Sequence, residues 1–223
     1  MTVINVGKWA TPATEYPQST VSNYRIHRAK YSRGFYRMSG LDDAALFKVG
    51  RAGIPVTSLQ EYRDGRWKDW MVDDPPHWRA MQFYAAKAHG RVLTTGLGLG
   101  LVQHALAVNP AVESFQTVER SDDVWKLISP HVPTHAIIKD DWYEYRANTT
   151  SEWDTVIVDL WVAHDLETKM AAYHEATVEY ILVKKRWPNA TVFFHGFPQL
   201  CDTVWPMSEN TRKAIGMIAR EEE

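Results

Sequence analysis

The stretch that decides the fold runs from Gly90 to Ala107 and reads Gly-Arg-Val-Leu-Thr-Thr-Gly-Leu-Gly-Leu-Gly-Leu-Val-Gln-His-Ala-Leu-Ala, followed after a short gap by Ser114-Phe-Gln-Thr-Val-Glu119. A short apolar strand, Arg91 to Thr95, meets three alternating glycines, Gly96, Gly98 and Gly100. A helix is expected over Leu99 to Val108, then a second strand, Ser114 to Val118, ending at the carboxylate of Glu119. That order is the first half of a nucleotide-binding α/β sheet. Glycines without a Cβ let the backbone turn tightly and approach a ligand closely.

Reading outward toward the C-terminus, strands and helices alternate. Ser121 precedes Asp122 and Asp123, an N-cap with acids in the first turn, and Pro130 stops that helix. Ala136 to Ile138 is a short strand, followed by Asp140, Asp141 and Trp142. Trp153 to Asp159 is a continuous apolar run of the kind a central parallel strand shows. The longest helix follows, with Leu166, Met170, Tyr173, Thr177, Ile181 and Lys184 on one expected stripe and Pro188 beyond its end. Ala190 to His195 is the fifth strand, and Asn210 to Ala219 is a last expected helix. The fold class expected is α/β: a Rossmann-like, mostly parallel sheet with helices on both faces.

The N-terminal third reads differently. Residues 1–40 are punctuated by prolines and glycines, and Tyr24 to Gly34 is locally basic with interleaved aromatics. That cluster reads as a surface arm more readily than as a nucleic-acid contact. Ala44 to Val49, Val56 to Tyr62 and a returning strand with Trp67, Trp70 and Met71 suggest a β-meander, with a break at Gly53 to Pro55 and Asp64-Gly65 suited to a tight hairpin turn. Asp74 caps a helix that begins at Pro75 and stops at Gly90. Two domains are expected, an arm and meander over 1–72 and a sheet domain over 73–223. Asp74-Pro75-Pro76-His77 echoes a motif of amino-group DNA methyltransferases, but no apolar strand precedes it and His77 replaces the stacking aromatic.

Composition narrows the function classes. Among 223 residues, 45% are hydrophobic, enough for a substantial core, and the net charge of -2 gives no field that draws the chain onto nucleic acid. The one cysteine, Cys201, rules out an internal disulfide and a cysteine-rich zinc site, and fits a reducing, cytoplasmic setting. No apolar run approaches the ~18 residues of a membrane span, and Met1 to Lys8 lacks a basic-then-apolar signal pattern. No histidine and carboxylate spacing suggests a metal site.

Four chemical positions fall at successive strand ends: the Gly96–Gly100 loop, Glu119, Asp140 and Asp159. Glu119 lies 23 residues past Gly96, where a ribose-binding acid belongs. A dinucleotide fingerprint would place a glycine where Leu101 stands, and no Gly-Lys-Ser/Thr phosphate loop is present. A dehydrogenase and phosphoryl transfer are both disfavoured.

On these residues, 73 to about 195 resemble a class I S-adenosylmethionine-dependent methyltransferase, and the flavour is similar to the spermidine-synthase-like branch. That branch also has a β-rich N-terminal segment, a helix, Val-Leu-x-x-Gly-x-Gly-x-Gly and a strand ending Val-Glu. The resemblance implies that Gly96, Leu97, Gly98 and Gly100 pack against the methionine and ribose part of S-adenosylmethionine. It implies Glu119, with Arg120 beside it, on the ribose, Asp140 and Asp141 near the adenine amino group with Trp142 as an apolar wall, and Asp159 facing the reacting centre. Thr94 stands where many methyltransferases carry an acid, which favours the spermidine-synthase-like branch. Against aminopropyl transfer, the acid pair and proline of that branch after the fourth strand are replaced by Asp159-Leu-Trp161-Val-Ala-His164. His164 and His195 are candidate general bases. The expected function is methyl transfer to a small-molecule acceptor. Aminopropyl transfer, or another non-methyl use of the cofactor, and a non-catalytic cofactor-binding or assembly protein are the alternatives.

About 28 residues follow His195, and with Pro198 and Pro206 among them they barely allow the usual closing hairpin of that fold. The exposed sheet edge is then expected to be covered by the C-terminal helix, by N-terminal residues or by another subunit, which makes a homo-oligomer one of the expectations.

Overall fold

The computed structural model describes residues 3–7, 9–37, 46–161 and 166–202. In chain order the strands and helices are β1 (Val3–Val6), β2 (Ser19–Val21), β3 (Tyr24–Tyr31), β4 (Gly34–Arg37), β5 (Leu46–Val49), β6 (Ile54–Arg63), β7 (Arg66–Val72), α1 (Pro75–Lys87), β8 (Gly90–Thr95), α2 (Leu101–Leu106), β9 (Val112–Val118), α3 (Asp122–Ile128), β10 (Ala136–Ile138), α4 (Trp142–Asn148), β11 (Thr155–Val158), α5 (Leu166–Arg186) and β12 (Thr191–Phe194). The expected helix over 210–219 lies outside the described residues. The chain divides into two compact units, one of Met1–Ala86, Leu97–Asn109 and Glu119–Thr134, the other of Lys87–Gly96, Pro110–Val118 and His135–Glu223.

The second unit holds a five-stranded, wholly parallel sheet in the order β10-β9-β8-β11-β12, flanked by helices. Strand order reverses between β8 and β11, the switch point at which open α/β sheets take ligands. All four residues of β11 are buried, as its unbroken apolar run requires. The core joins Leu93, Val156, Val158, Val192 and Phe194 of the sheet to Ala172, Ala176, Tyr180 and Val183 of α5, with Trp187 just beyond it. This stripe corrects the expected one in part: Thr177 is buried and Tyr173 packs against the core, but Met170 is 67% exposed. Two alanines let α5 approach closely, and the buried Glu179, one turn beyond Ala176, is compensated. Its carboxylate accepts from Trp142 Nε1 at 2.7 Å and pairs with Arg146 at 2.6 Å.

At Val192 the edge of β12 is met by its own chain. The N–H of Asp202 donates to the Val192 carbonyl and its carboxylate accepts from the Val192 N–H, both at 2.9 Å. The same carboxylate takes Tyr180 Oη at 2.7 Å and Lys184 Nζ at 3.1 Å. Asp202 thus supplies the donor and acceptor that a further strand would offer.

The first unit contains two small sheets. One is antiparallel, β2-β3-β6-β7, and the other is β1-β5-β4, in which β1 runs parallel to β5. Asp64 (φ 55°) and Gly65 (φ 75°) make the expected hairpin turn between β6 and β7. The meander is corrected in part, because β5 and β6 belong to different sheets. The basic stretch from Tyr24 is a full strand rather than an arm. Its Arg25 lies over the Trp67 ring at 4.3 Å and donates from Nε to Gln60 at 2.7 Å, so charge there is cross-strand glue. Pro55 does not break β6. It pairs with Lys30 before β7 begins to pair, near the strand start that proline tolerates. No helix among the described residues is long and apolar enough to cross a membrane.

Candidate functional site

In the first unit, the loop from Leu97 to Gly100 is held by its own chain. Gly98 and Gly100 adopt φ of 51° and 71°, the left-handed region where a side chain is strained. Gly100 caps α2, so the helix starts at Leu101 and Leu99 stays in the loop, two residues later than the sequence suggests. The Leu97 N–H donates to Glu119 Oε2 at 2.8 Å and the Ser121 N–H to Glu119 Oε1 at 2.7 Å. Glu119 is only 8% exposed, and burial pushes its carboxyl above the ordinary range while the two N–H groups and the neighbouring charge of Arg120 pull it back. Arg120 itself is exposed. Ser121 caps α3 as expected, accepting from Val124 at 3.2 Å.

Two further side chains hold this loop. The Leu99 N–H donates to Met71 Sδ at 3.0 Å, and a Cβ on Gly98 would overlap that sulfur. Tyr16 Oη donates to the Leu99 carbonyl at 3.1 Å, lies 2.8 Å from His104 Nε2, and its ring stacks on His131. Burial raises the Tyr16 hydroxyl well beyond its usual value, so it is a donor and not a base. Neither contact was visible in the sequence, because each joins residues far apart in the chain. The irregular spacing of Tyr16 and the place of Met71 in a strand gave no local signal.

In the second unit, Gly96 (φ 71°) closes β8, and its N–H donates to the Val118 carbonyl at 2.8 Å. A Cβ on it would stand 3.2 Å from the Asp159 carbonyl. The Asp159 N–H donates to Thr95 Oγ1 at 2.8 Å, a bond that ties the ends of β11 and β8 across the switch point. His195 follows β12, and its N–H donates to the Val158 carbonyl at 2.8 Å. A carboxylate oxygen of Asp159 and a ring nitrogen of His195 lie within 4.8 Å of each other, and both residues are half-buried. Thr94 is fully buried, with Oγ1 2.9 Å from Thr117 Oγ1, so the position serves the sheet.

The group after β10 is divided in its duties. Asp140 is exposed and accepts from the Asp141 N–H at 2.8 Å. Asp141 caps α4, accepting from the Tyr143 N–H at 2.9 Å. Trp142 is 3% exposed and committed to the core and to Glu179. His164 lies outside the described residues.

No protein-family model matches the chain, and no curated protein matches it. Among solved structures, the chain is similar to SMU.776, described as a candidate methyltransferase complexed with SAH, at 14% identity over 57% of this chain and 36% of that one, with a TM-score of 0.40. It is also similar to a candidate SAM-dependent methyltransferase from Streptococcus mutans, at 16% identity over 46% of this chain and 30% of that one, with a TM-score of 0.35. The chain thus spans about a third of the length of the solved chains it matches.

Proposed function

We propose that the chain is an S-adenosylmethionine-dependent methyltransferase acting on a small-molecule acceptor, with residues 73–223 as the cofactor-binding domain. The observation that carries this reading is the run Gly96–Gly100. Three alternating glycines, all with left-handed backbones, follow the strand that borders the reversal of strand order. The buried Thr94 and the β-rich N-terminal segment fit the spermidine-synthase-like branch of the superfamily.

The residues present fit such a cofactor in part. The loop has the backbone that only glycine adopts cheaply, and each Glu119 oxygen, holding one N–H, keeps a second lone pair for a ribose hydroxyl. Asp140, exposed beyond β10, takes the contact with the adenine amino group, while Asp141 and Trp142 hold the start of α4. When bound, S-adenosylmethionine supplies an electrophilic methyl group. His195 accepts the proton that the acceptor loses, and Asp159, within 4.8 Å, stabilises the imidazolium. Methyl transfer needs alignment more than many charged groups, which suits a site with few of them.

Isothermal titration of the full chain with S-adenosylmethionine, S-adenosylhomocysteine and decarboxylated S-adenosylmethionine tests the reading. The first two should bind. Binding of none of them removes it, and binding of the decarboxylated form alone turns the reading to aminopropyl transfer.

A further inference from the structure

The first unit contains a contact that the proposed function does not use. Met71, on β7, places its thioether on the loop, accepting from the Leu99 N–H and lying against the Cα of Gly98. The neighbouring loop donors go to oxygen, Leu97 N–H to Glu119 and Gly100 N–H to the Leu97 carbonyl at 2.7 Å. Leu99 N–H goes to sulfur, a weaker acceptor. Gly98 and Met71 occupy the same ground, because the space that the missing Cβ leaves is filled by Sδ and Cε.

We infer that Met71 is an internal occupant of the glycine loop, a side chain that any ligand seated on Gly98 must displace. The inference rests on the adenosyl-cofactor reading above. Three features suit Met71 to the task. Its three rotatable bonds let the thioether swing away while β7 keeps its pairing of Met71 with Leu59. The residue is half-buried, so part of its surface already faces solvent. The N–H it releases is then offered to a ligand oxygen, a stronger acceptor than the thioether. The glycine at 98 therefore serves two states, one filled by the chain's own sulfur and one filled by ligand.

The consequence is a reduced apparent affinity. If the thioether occupies the loop in about nine molecules of ten, the dissociation constant is raised about tenfold over that of the open state. Met71→Ala should therefore bind S-adenosylhomocysteine about tenfold more tightly than the wild type in calorimetry. Met71→Leu, which keeps bulk but lacks the acceptor, should fall between them. In the wild type labelled with [methyl-13C]methionine, the line that Met71→Leu removes should shift on adding S-adenosylhomocysteine.

Tighter binding by Met71→Ala together with a moved Met71 line supports the inference. Should that variant not fold, the Met71 line of the wild type decides by itself. Binding that is unchanged or weaker in Met71→Ala, or a Met71 line that stays put while the wild type binds, overturns the inference and leaves the cofactor reading intact. Absence of binding by wild type and variants alike removes both.

Discussion

The loop after β8 and the ends of β11 and β12 are chemically opposite. From Leu97 to Gly100, backbone groups are met by the chain's own side chains, Glu119, Met71 and Tyr16. At the strand ends, Asp159 and His195 are fixed through their backbone N–H groups, and their half-buried side chains lie close together. One region spends side chains to hold a backbone. The other spends backbone bonds to hold side chains. The proposed cofactor loop is thus held by side chains, and the proposed base and its neighbour by backbone.

The largest expected effect lies in the strand-end pair. His195→Gln and Asp159→Asn should each lower methyl transfer by about a hundredfold or more, the usual worth of a general base and its partner. Their unfolding free energies should fall by no more than about 1 kcal/mol, because the backbone N–H bonds that place both residues survive the substitutions. S-adenosylhomocysteine release with an accepted substrate, set beside urea melts, reads both quantities. A large loss of stability with unchanged turnover would make the pair structural and end the contrast.

The loop should answer in the other currency. Gly100→Ala combines a left-handed backbone with a Cβ that would overlap Val132 Cγ1, and should cost about 3 kcal/mol. Gly96→Ala meets only the Asp159 carbonyl, at 3.2 Å, and should cost about 1–2 kcal/mol, mostly from the backbone. Urea denaturation of the two variants orders them. The reverse order would mean that the pinning of the loop by the first unit is weaker than its contacts suggest.

What the chain declared in advance follows the same divide between local and distant chemistry. Asp64-Gly65, Asp74 and Ser121 act on residues three or fewer positions away, and each does what its local pattern required. The glycine spacing and the strand-end positions of Glu119 and Asp159 were legible because a parallel sheet with crossover helices fixes where strands end. Distant partners were not legible. β1 pairs with β5 across some forty residues, and nothing in Val3–Val6 names that partner. Trp142 reads as a wall beside a ligand until Glu179, 37 residues on, takes its indole N–H. Met71 reads as one more strand residue until its sulfur is found on Leu99. The stripe of α5 was misplaced in part, because Glu179 looks like a solvent residue before Arg146 is seen beside it.

The smallest expected effect concerns the anchor beneath the pinned loop. Asp73 is fully buried, accepts from Thr11 Oγ1 and takes the Thr57 N–H at 2.6 Å, while Thr57 Oγ1 donates to the Ala13 carbonyl at 3.0 Å. These bonds hold the segment that carries Tyr16 to the loop. Burial outweighs the hydrogen bonds and raises the Asp73 carboxyl above its ordinary 3.8. The folded chain therefore keeps this proton more tightly than the unfolded one. Its contribution to stability is complete below pH 3.8 and falls as pH rises through the higher folded value. Asp73→Asn retains an oxygen for the Thr57 N–H and does not titrate. The stability advantage of the wild type over Asp73→Asn should therefore shrink as pH climbs above 3.8, by at most about 1.4 kcal/mol per pH unit, and then level off. Glu119, raised in the same direction, is present in both proteins and cancels in the difference. Urea midpoints measured across this range check it. An advantage that grows with pH would mean that the hydrogen bonds from Thr11 and Thr57 outweigh burial and hold the folded carboxyl below its ordinary range.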